Sequence, residues 1–321
     1  MTALLDAIAA AGEKLIAASS RRISFDPRRA ISRGDDLDLT PPGEWSPNGH
    51  SRIVCCAEGW MAVSLARAED RDCVPAWTGT TFDDDPWEAI VERAKTRSAA
   101  EMVAAAIELH LPAARVCEAA PLEQPRLERG RSRAGPVLDL SALWAGPYCG
   151  ALLAEAGHEV IKIESPTRRD TTREHLPHLD LRLNNLKQNV EISLESPQLK
   201  AMIADARILI TSARPFALAR LGLDETRLFT LNPDLLWIAI TGHGWHGSAG
   251  LRIGFGDDCA AAGGLVEWHH DTPCFMGDAL ADPLTGLTAA TLALEALERG
   301  ERGLLDVSLA RTARSFAVLL Q

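Results

Sequence analysis

The stretch Pro136-Val-Leu-Asp-Leu-Ser-Ala-Leu-Trp-Ala-Gly-Pro-Tyr-Cys-Gly-Ala-Leu-Leu-Ala-Glu-Ala-Gly-His-Glu-Val-Ile-Lys-Ile163 decides the fold class of this chain. Its short apolar runs at residues 136–140 and 159–163 predict buried strands, and the small residues from Ala145 to Ala156 predict a helix between them. Two later apolar runs predict further strands of the same kind, Arg207-Ile-Leu-Ile-Thr211 and Leu236-Trp-Ile-Ala-Ile240. Strands that alternate with helices are joined by right-handed crossovers. The sequence therefore predicts an α/β fold, a mainly parallel Rossmann-like sheet flanked by helices.

The part of the chain before this sheet predicts a second, smaller unit. Residues 119–135 are polar, basic and broken by Pro and Gly, which indicates a linker. The elements predicted before it are a helix over residues 2–18, a hairpin of Arg52-Ile-Val-Cys-Cys56 and Trp60-Met-Ala-Val-Ser-Leu65, and helices that begin at Asp85-Pro-Trp-Glu88 and Ser98-Ala-Ala-Glu101. We therefore expect a helix plus a smaller α+β domain in residues 1–118 and the Rossmann-like domain in residues 136–321.

Composition limits the classes of function. A net charge of −11 argues against nucleic acid as a partner, and no run of about eighteen or more apolar residues predicts a membrane span. Residues 1–15 carry acidic side chains and predict an amphipathic helix instead of a signal peptide. The seven cysteines form no Cys-x-x-Cys pair, which fits a reducing cytoplasm. We expect a cytoplasmic protein whose ligands are small molecules.

Asp282 is the candidate for a reactive side chain. It lies in Ala279-Leu-Ala-Asp-Pro-Leu-Thr-Gly286, where a loop leads into a helix that is predicted by apolar residues at spacings of three and four. The pattern predicts Asp282 at the N-cap and Pro283 at the first helical position. A carboxylate there meets free backbone N–H groups and the positive end of the helix dipole, which favour the ionised form that attacks a carbonyl carbon. Asp-Pro is also an ordinary helix start, so the segment alone leaves both interpretations open.

The first strand–helix–strand unit mimics a dinucleotide-binding fingerprint without matching it. Glu164 follows Gly146 by about twenty residues, the distance at which such sites place an acid on the ribose. However, Ala145-Gly-Pro-Tyr-Cys-Gly150 is not G-x-G-x-x-G, and Pro147 removes an N–H that would hold pyrophosphate. The sequence thus argues against a nicotinamide or flavin site.

Basic residues cluster after the second predicted strand and alternate with acidic residues. One interpretation is a solvated surface with ion pairs, and the other is a phosphate-holding rim for a large anionic cofactor. The basic members are Lys162, Arg168, Arg169, Arg173, Arg182 and Lys187.

Histidines predict no metal site. The adjacent His269-His270-Asp271 has no third ligand at a suitable spacing. Thr241-Gly-His-Gly-Trp-His-Gly247 follows a predicted strand, where α/β sheets place ligands, but a permissive turn explains its glycines equally well.

Several of these segments, taken in order, resemble the family III CoA-transferases, also known as the CaiB/BaiF family, which includes formyl-CoA transferase, carnitine CoA-transferase and alpha-methylacyl-CoA racemase. No single motif is decisive, but their order across about 170 residues is consistent. The segments are Val137 to Gly150, Gly157-His-Glu-Val-Ile-Lys-Ile-Glu164, Leu183-Asn-Asn-Leu-Lys-Gln-Asn-Val190, Arg214-Pro-Phe-Ala-Leu-Ala-Arg-Leu-Gly-Leu223, Leu231-Asn-Pro233, Ala281-Asp-Pro-Leu-Thr-Gly286 and Leu305-Asp-Val-Ser-Leu309.

The resemblance implies a reaction and a set of site residues. Asp282 occupies the position of the family's catalytic carboxylate, which carries CoA between two acids as an aspartyl-CoA thioester. Coenzyme A or acyl-CoA is then a substrate, with a carboxylic acid as the second substrate and no metal. The positions implied for CoA binding are Leu143, Trp144, Lys187, Arg214, Phe255 and Gly286. At Gly286 we expect a ligand to approach the backbone closely.

Two departures from the family pattern bear on function. Ser165 stands where many members carry a basic residue that contacts CoA. Phe255 stands where the racemases carry His and the transferases usually carry Tyr, and Phe cannot move a proton. A CoA-transferase is therefore favoured over an acyl-CoA racemase or isomerase in which Asp282 is a base. A non-catalytic CoA-binding subunit is the third hypothesis, since the family's glycine-rich loop over the catalytic Asp is not recognisable.

The resemblance also extends to the N-terminal part, in an altered order. Ser46-Pro-Asn-Gly49 and Ala57-Glu-Gly-Trp-Met-Ala-Val63 are similar to the family's smaller domain, which normally follows the catalytic helix. Met1-Thr-Ala-Leu-Leu-Asp-Ala7 is similar to the continuation of the last family segment. We expect a circular permutation or one piece of a tandem arrangement, and by the same resemblance a homodimer.

Overall fold

The computed structural model describes residues 2–131 and 134–321. Met1, which belongs to the predicted 1–118 unit, and Ser132 and Arg133, which belong to the predicted linker, lie outside the described residues.

The N-terminal part contains six helices and three strands among the described residues. The helices are α1 (Thr2–Ala18), α2 (Pro27–Ala30), α3 (Ala68–Asp72), α4 (Val74–Thr78), α5 (Pro86–Ala94) and α6 (Ala99–Glu108). The strands are β1 (Ser51–Cys55), β2 (Trp60–Ser64) and β3 (Ala113–Arg115), which form an antiparallel sheet in that order. The predicted hairpin is confirmed, as are both predicted helix starts: Asp85 caps α5, and Ser98 forms a capping box with Glu101.

The rest of the described chain builds the larger, seven-stranded sheet, a separate antiparallel pair of β10 and β11, and the helices. The strands are β4 (Glu128–Arg129), β5 (Val137–Asp139), β6 (Val160–Glu164), β7 (Gln188–Glu191), β8 (Ile208–Thr211), β9 (Leu236–Thr241), β10 (Val266–His269), β11 (Thr272–Phe275) and β12 (Glu301–Ser308). The helices are α7 (Ala145–Glu155), α8 (Thr172–His175), α9 (Pro177–Asn184), α10 (Pro197–Asp205), α11 (Pro215–Arg220), α12 (Glu225–Leu231), α13 (Gly256–Gly263), α14 (Ala281–Glu298) and α15 (Leu309–Val318), with a short 3-10 helix at Gly247–Leu251.

The seven-stranded sheet has the strand order of a Rossmann fold. Its order is β4-β12-β9-β8-β5-β6-β7, and every pair is parallel except β4 with β12. Read from the other edge, the six parallel strands are β7, β6, β5, β8, β9 and β12. When these six are numbered 1 to 6 along the chain, their order in the sheet is 3-2-1-4-5-6, and the order changes direction between β5 and β8. The predicted mainly parallel α/β sheet is confirmed. The reversal point matters because such sheets bind ligands there, beyond the carboxyl ends of the strands.

Helix α14 is the central helix on one face of this sheet. It packs against α7, α15 and α1, and buries most of its side chains. Gly286 lies where α14 meets α7, and a Cβ there would come within 2.6 Å of the Ala145 carbonyl oxygen. Gly286 therefore permits close packing of two helices, and the expectation that it admits a ligand is wrong, because the space beside it is filled by protein.

Two features of the N-terminal half extend into this larger layer. Leu4, Ile8 and Leu15 of α1 belong to the same apolar cluster as α14, and β4 lies inside the predicted linker and pairs with β12. A separate apolar cluster spans residues 54–113. The division into domains at residues 118 and 136 stays a prediction. Within residues 2–131 and 134–321, no helix is both long and apolar enough to cross a membrane.

Candidate active site

A cleft of about 250 Å³ opens at the reversal point of the sheet. Its wall is made by the segments that follow the carboxyl ends of β5, β6, β8, β9 and β12, together with the start of α14. Four of the residues singled out from sequence lie in this wall: Leu143, Arg214, Phe255 and Asp282. Residues that are far apart in the sequence thus meet at the position where Rossmann-type sheets bind ligands.

Asp282 is the second residue of α14 and not its N-cap. Leu280 occupies the N-cap with helical φ and ψ, and the N–H of Asp282 already donates to the Ala279 carbonyl at 3.0 Å. The N-cap prediction is wrong because Ala279, at φ 45°, turns the chain before the Asp-Pro pair, so that the helical turn begins earlier. Pro283 still falls in the first turn, where its missing N–H is tolerated.

The Asp282 carboxylate faces the cleft without being held by a donor. Within the described residues, no side-chain hydrogen bond reaches it, and it is half-buried. Its Oδ2 lies against Gly256, where a Cβ would come within 2.3 Å of that oxygen. Gly256 therefore leaves room for the carboxylate at the edge of the cleft.

The pKa of Asp282 is shifted in the direction opposite to the one expected from sequence. Burial raises the pKa of Asp282 to about 7, Arg33 opposes this shift, and Asp257, Asp258 and Asp278 add to it. The expected lowering of the pKa is wrong, because desolvation and the neighbouring carboxylates raise it. At neutral pH the group is poised between its two forms, as a tuned acid–base group or nucleophile would be.

A polar network from the N-terminal part holds the acids behind Asp282. The Arg33 guanidinium donates to both oxygens of Asp278 at 2.7 Å. The Asn48 side-chain amide donates to Asp257 at 2.9 Å and to Asp278 at 2.6 Å. The backbone N–H of Ala279 donates to Asp257 at 2.7 Å. These bonds fix the turn that precedes α14 and so position Asp282.

Asp258 is a second buried acid close to the cleft. It accepts from the Ser64 hydroxyl at 2.8 Å and from the Phe255 N–H at 2.9 Å. Burial raises the pKa of Asp258 to about 7, against the effect of those two donors. The network therefore also fixes Phe255, which lies in the cleft wall.

Leu143 is presented to the cleft by an unusual backbone. It has φ 68°, a conformation that non-glycine residues rarely adopt, and its N–H donates to Asp170 at 3.0 Å. Its side chain is 46 % exposed at the cleft mouth. Such strain is often found where a residue is held for contact with a ligand.

Two other residues proposed for CoA binding lie outside the cleft wall. The Lys187 ammonium is buried and donates to Asp139 at 2.7 Å, to the Pro147 carbonyl at 2.8 Å and to Asn184 at 2.9 Å. Its three protons are thus used inside the protein, so a direct contact with CoA is wrong for this geometry. Trp144 is buried under the Arg33 guanidinium, 4.9 Å from the ring centroid, and is not available to a ligand in the cleft either.

Four arginines line the cleft, and only two of them are neutralised. Arg67 pairs with Asp70, and Arg252 pairs with Glu118 at 2.6 Å. Across the described residues, neither Arg168 nor Arg214 forms an ion pair. Arg214 only bonds the His110 ring and the Leu251 carbonyl. The sequence had not singled out Arg67 or Arg252, because each reaches the cleft through tertiary contacts that no local pattern marks.

The basic cluster predicted after β6 separates into two kinds of residue. Arg169 and Arg173 pair with Glu191 and Glu164, and Lys162 is buried beside Asp170. These fit the interpretation of ion pairs, whereas Arg168 lies in the cleft wall and fits the interpretation of a phosphate-holding rim.

Metal ligation has one candidate in the part of the chain that the structure describes. Potential ligand atoms of His243, Asp258 and Cys259 lie within 4.8 Å of one another, and all three residues are buried. Burial lowers the pKa of His243 to about 3, so the ring is neutral. His269 and His270 instead lie at the turn between β10 and β11.

The fold and the cleft define an α/β protein with a Rossmann-ordered sheet and, at its reversal point, a cleft with a carboxyl group and cations in its wall. More particularly, the chain belongs to CoA-transferase family III, whose sequence model matches residues 136–318. The resemblance inferred from the motifs is confirmed.

Characterised relatives and solved structures match about half of the chain. It is 33 % identical over 180 residues to a succinyl-CoA–D-citramalate CoA-transferase of Chloroflexus aurantiacus, and this match covers 52 % of this chain and 45 % of the relative. It is 28 % identical over 167 residues to the human succinyl-CoA:glutarate CoA-transferase, and this match covers 48 % of this chain and 38 % of the relative. The crystal structure of the hypothetical protein Rv3272 of Mycobacterium tuberculosis is 27 % identical, with a TM-score of 0.51 over 59 % of this chain and 57 % of the other. The chain thus spans about half the length of the curated relatives it matches.

Proposed function

We propose that this protein is an acyl-CoA:carboxylate CoA-transferase in which Asp282 is the nucleophile. The observation that carries the proposal is the position of this carboxylate, which faces the cleft at the reversal point of the sheet with no side-chain donor attached to it. A nucleophile must be free to leave its resting contacts and reach a carbonyl carbon. The family membership of residues 136–318 supports the same reaction class.

The proposed reaction has four balanced steps. An Asp282 oxygen attacks the thioester carbon, the C–S bond breaks, and an acyl–aspartyl anhydride and CoA thiolate result. The thiolate then attacks the Asp282 carbonyl carbon and releases the donor acid as a carboxylate, which leaves an aspartyl-CoA thioester. An acceptor carboxylate displaces the thiolate from that carbonyl and forms a second anhydride. Attack of the thiolate on the acceptor's acyl carbon finally gives the new acyl-CoA and restores Asp282.

Arg168 and Arg214 are the residues we assign to the phosphates of CoA. Both line the cleft, and neither is neutralised by a carboxylate within the described residues. A guanidinium without a partner is suited to a phosphate, which it can bind through two parallel hydrogen bonds. Leu143, at the mouth of the cleft, would offer apolar contact to the adenine or pantetheine portions.

The racemase hypothesis has less support from the cleft. A racemase needs two acid–base groups that flank the α-carbon. Among the described residues of the wall, Asp282 is the one group that can exchange a proton near neutral pH, and Phe255 offers none. Exchange of the substrate α-proton with deuterated solvent would be the measurement that favours the racemase.

Further properties of the whole protein are also proposals. We propose that residues 1–118 form a smaller domain that is placed N-terminally by a permutation or a tandem arrangement, and that the protein is a cytoplasmic homodimer. The third hypothesis, a non-catalytic CoA-binding subunit, would show tight CoA binding with no covalent adduct.

Detection of a covalent adduct on Asp282 is the measurement that tests this proposal. The protein is incubated with acetyl-CoA, succinyl-CoA or butyryl-CoA, and its peptides are analysed by mass spectrometry for CoA or acyl modification of Asp282. We expect the adduct in the wild type and in the exposed control Asp271→Asn, and its loss together with CoA exchange in Asp282→Asn. Full exchange by Asp282→Asn would exclude the proposal.

A further inference from the structure

Arg67 is a cation of the cleft wall that is already held rigidly and still has free donors. Arg67 follows β2 in the N-terminal part, and its guanidinium reaches the cleft wall. Its Nε donates to Asp70 Oδ2 at 2.9 Å, and its Nη2 donates to the other oxygen of the same carboxylate. Asp70 is buried and also accepts from the Arg67 backbone N–H at 3.2 Å. One edge of the guanidinium is therefore fixed to the protein.

The same guanidinium also packs on an aromatic ring. The Arg67 Cζ lies 5.4 Å from the centroid of the Phe255 ring, and both residues line the cleft. Within the described residues, Arg67 Nη1 has no hydrogen-bond partner, and the side chain is 34 % exposed. A guanidinium that is fixed by a carboxylate and a ring loses little conformational freedom when it binds an anion. The free Nη1 end is thus preorganised for a carboxylate.

Arg67 and Asp282 lie against two consecutive residues, Phe255 and Gly256. Phe255 contacts the Arg67 guanidinium, and Gly256 contacts the Asp282 carboxylate. An acyl group bound to Asp282 would share the cleft with Phe255 and Arg67, which both line its wall. Arg168 and Arg214 are the unpaired cations assigned above to the phosphates of CoA, so the free end of Arg67 is left for the acid itself.

We propose that Arg67 is a specificity-determining residue that binds a second carboxylate on the transferred acid, and that Asp70 is its positioning residue. The proposal rests on the proposed CoA-transferase function and adds a substrate class to it, short dicarboxylic acids. The Phe255 ring would cover the methylene carbons between the two carboxylates, which gives apolar contact along the chain of the acid.

Identity exchange tests this proposal without a second substrate. Isotopically labelled succinate is exchanged into succinyl-CoA, and labelled butyrate into butyryl-CoA, with glutarate and valerate as a second matched pair. Within each pair the acids differ in one terminal group, a carboxylate against a methyl. We expect wild-type kcat/KM for the dicarboxylic acids to exceed that for the monocarboxylic acids by about 100-fold, because a charge-assisted bidentate contact is present only for the former.

Substitution of Arg67 is expected to remove the preference for dicarboxylic acids without stopping CoA exchange at Asp282. Arg67→Gln should lower exchange of both dicarboxylic acids by about 100-fold, mainly through KM, and change exchange of the monocarboxylic acids by less than about 3-fold. Arg67→Lys should retain part of the preference, since it keeps the charge without the planar fork. The matched control Arg168→Gln should weaken all four exchanges alike, because CoA is common to them.

The outcomes separate this inference from the proposed function. Rates are normalised to the fraction of Asp282 that takes up an adduct, so that partial unfolding of a variant does not imitate a loss of specificity. Exchange that proceeds with no dicarboxylate preference, or that falls equally for both classes in Arg67→Gln, would overturn the role of Arg67 and leave the transferase intact. No exchange and no Asp282 adduct with any of the four CoA esters would overturn both.

Discussion

At the scale of the single residue, the raised pKa of Asp282 has two consequences for a carboxylate that acts as a nucleophile. Its burial raises its pKa to about 7, which makes the ionised form more basic than an ordinary aspartate. The same shift means that below neutral pH most molecules carry the unreactive protonated form. Reactivity therefore depends on pH in a range where a surface aspartate would not change.

Adduct formation is predicted to rise with pH through about 7. Below that value the logarithm of the rate should increase with a slope of about one, because one proton must leave Asp282, and above it the rate should level off. Single-turnover formation of the adduct is measured from about pH 5 to pH 9, across the range set by the shifted group. A flat profile over that range would contradict the assignment of Asp282.

Arg33 should control the position of this pH profile. It is the cation that opposes the upward shift of the Asp282 pKa, and it also neutralises Asp278. In Arg33→Gln the pKa of Asp282 should rise further, so the rising limb moves to higher pH. Arg33→Lys retains the charge and should keep the limb close to that of the wild type. If the single-turnover assay shows the same midpoint of the pH–rate profile for Arg33→Gln as for the wild type, Arg33 does not act on Asp282.

The free energy of unfolding should also depend on pH because of the raised pKa of Asp282. The pKa of Asp282 is raised from 3.8 to about 7 in the folded state, so its stabilising contribution is complete below about pH 4 and is lost as pH rises through 7. Asparagine has no ionisable group, so the Asp282→Asn variant does not lose this contribution as pH rises. The free energy of unfolding of the variant minus that of the wild type should therefore increase by about 2 to 3 kcal/mol from about pH 5 to pH 8. Urea unfolding at both pH values measures this, and an unchanged difference between the two proteins would refute it.

At the scale of the element, the position of Asp282 depends on how α14 meets α7. Gly286 sits one helical turn after Asp282, and a Cβ there would come within 2.6 Å of the Ala145 carbonyl and 2.9 Å of the Tyr148 ring. Ala145 opens α7 and lines the cleft, so this contact couples the packing of two helices to the site. Any separation of the helices would move the nucleophile relative to the loop after β5.

Gly286→Ala is expected to destabilise the fold by about 1 to 3 kcal/mol through overpacking. In an open helix the same change would stabilise, since alanine has the higher helix propensity, so the sign itself is diagnostic. Glu298→Ala, on the exposed end of α14, is the matched control and should change the free energy of unfolding little. Urea unfolding of both variants measures this, and a stabilised Gly286→Ala would show that α7 and α14 are not in close contact.

The central strands of the sheet are predicted from the sequence because they are largely buried. Strands β5, β6, β8 and β9 are rich in apolar residues for that reason, and the predicted strands agree with them to within a residue at each end. Strand β12 begins with Glu301 and Arg302 at the edge beside β4, and β10 turns into β11 at His270 without a glycine, so neither carried a clear signal.

The site could be predicted only in part for a similar reason. Motif resemblance located Asp282, Arg214 and Phe255, because their neighbours in sequence are characteristic. The raised pKa of Asp282 and the participation of Arg67 arise from residues that are distant in the chain, and no local pattern contains that information.

At the scale of the whole molecule, the N-terminal part completes the site that the family-matched region begins. Residues 136–318 supply Asp282 and the six parallel strands of the sheet, whereas Arg33, Asn48, Ser64 and Arg67 come from before it. Residues of the N-terminal part thus hold the acids behind Asp282, and the site depends on contacts between the two parts of the chain.

Asn48 offers a direct test of this dependence, since its one amide group bridges Asp257 and Asp278. Both carboxyl groups are buried, and burial raises the pKa of Asp257, an effect that the Asn48 donor opposes. Asn48→Leu removes both donated bonds and should destabilise the protein by about 2 to 4 kcal/mol at neutral pH.

The loss in Asn48→Leu should depend on pH, which separates electrostatics from simple packing. The amide stabilises the ionised form of Asp257, so its removal matters most at high pH, where that carboxyl is charged, and less at low pH, where it is protonated. Urea unfolding over a series of pH values from acidic to mildly alkaline is compared with Asn185→Leu, an exposed control outside the network. A loss of equal size at every pH would assign Asn48 a packing role only, and the N-terminal part would then support the site by shape and not by control of its charges.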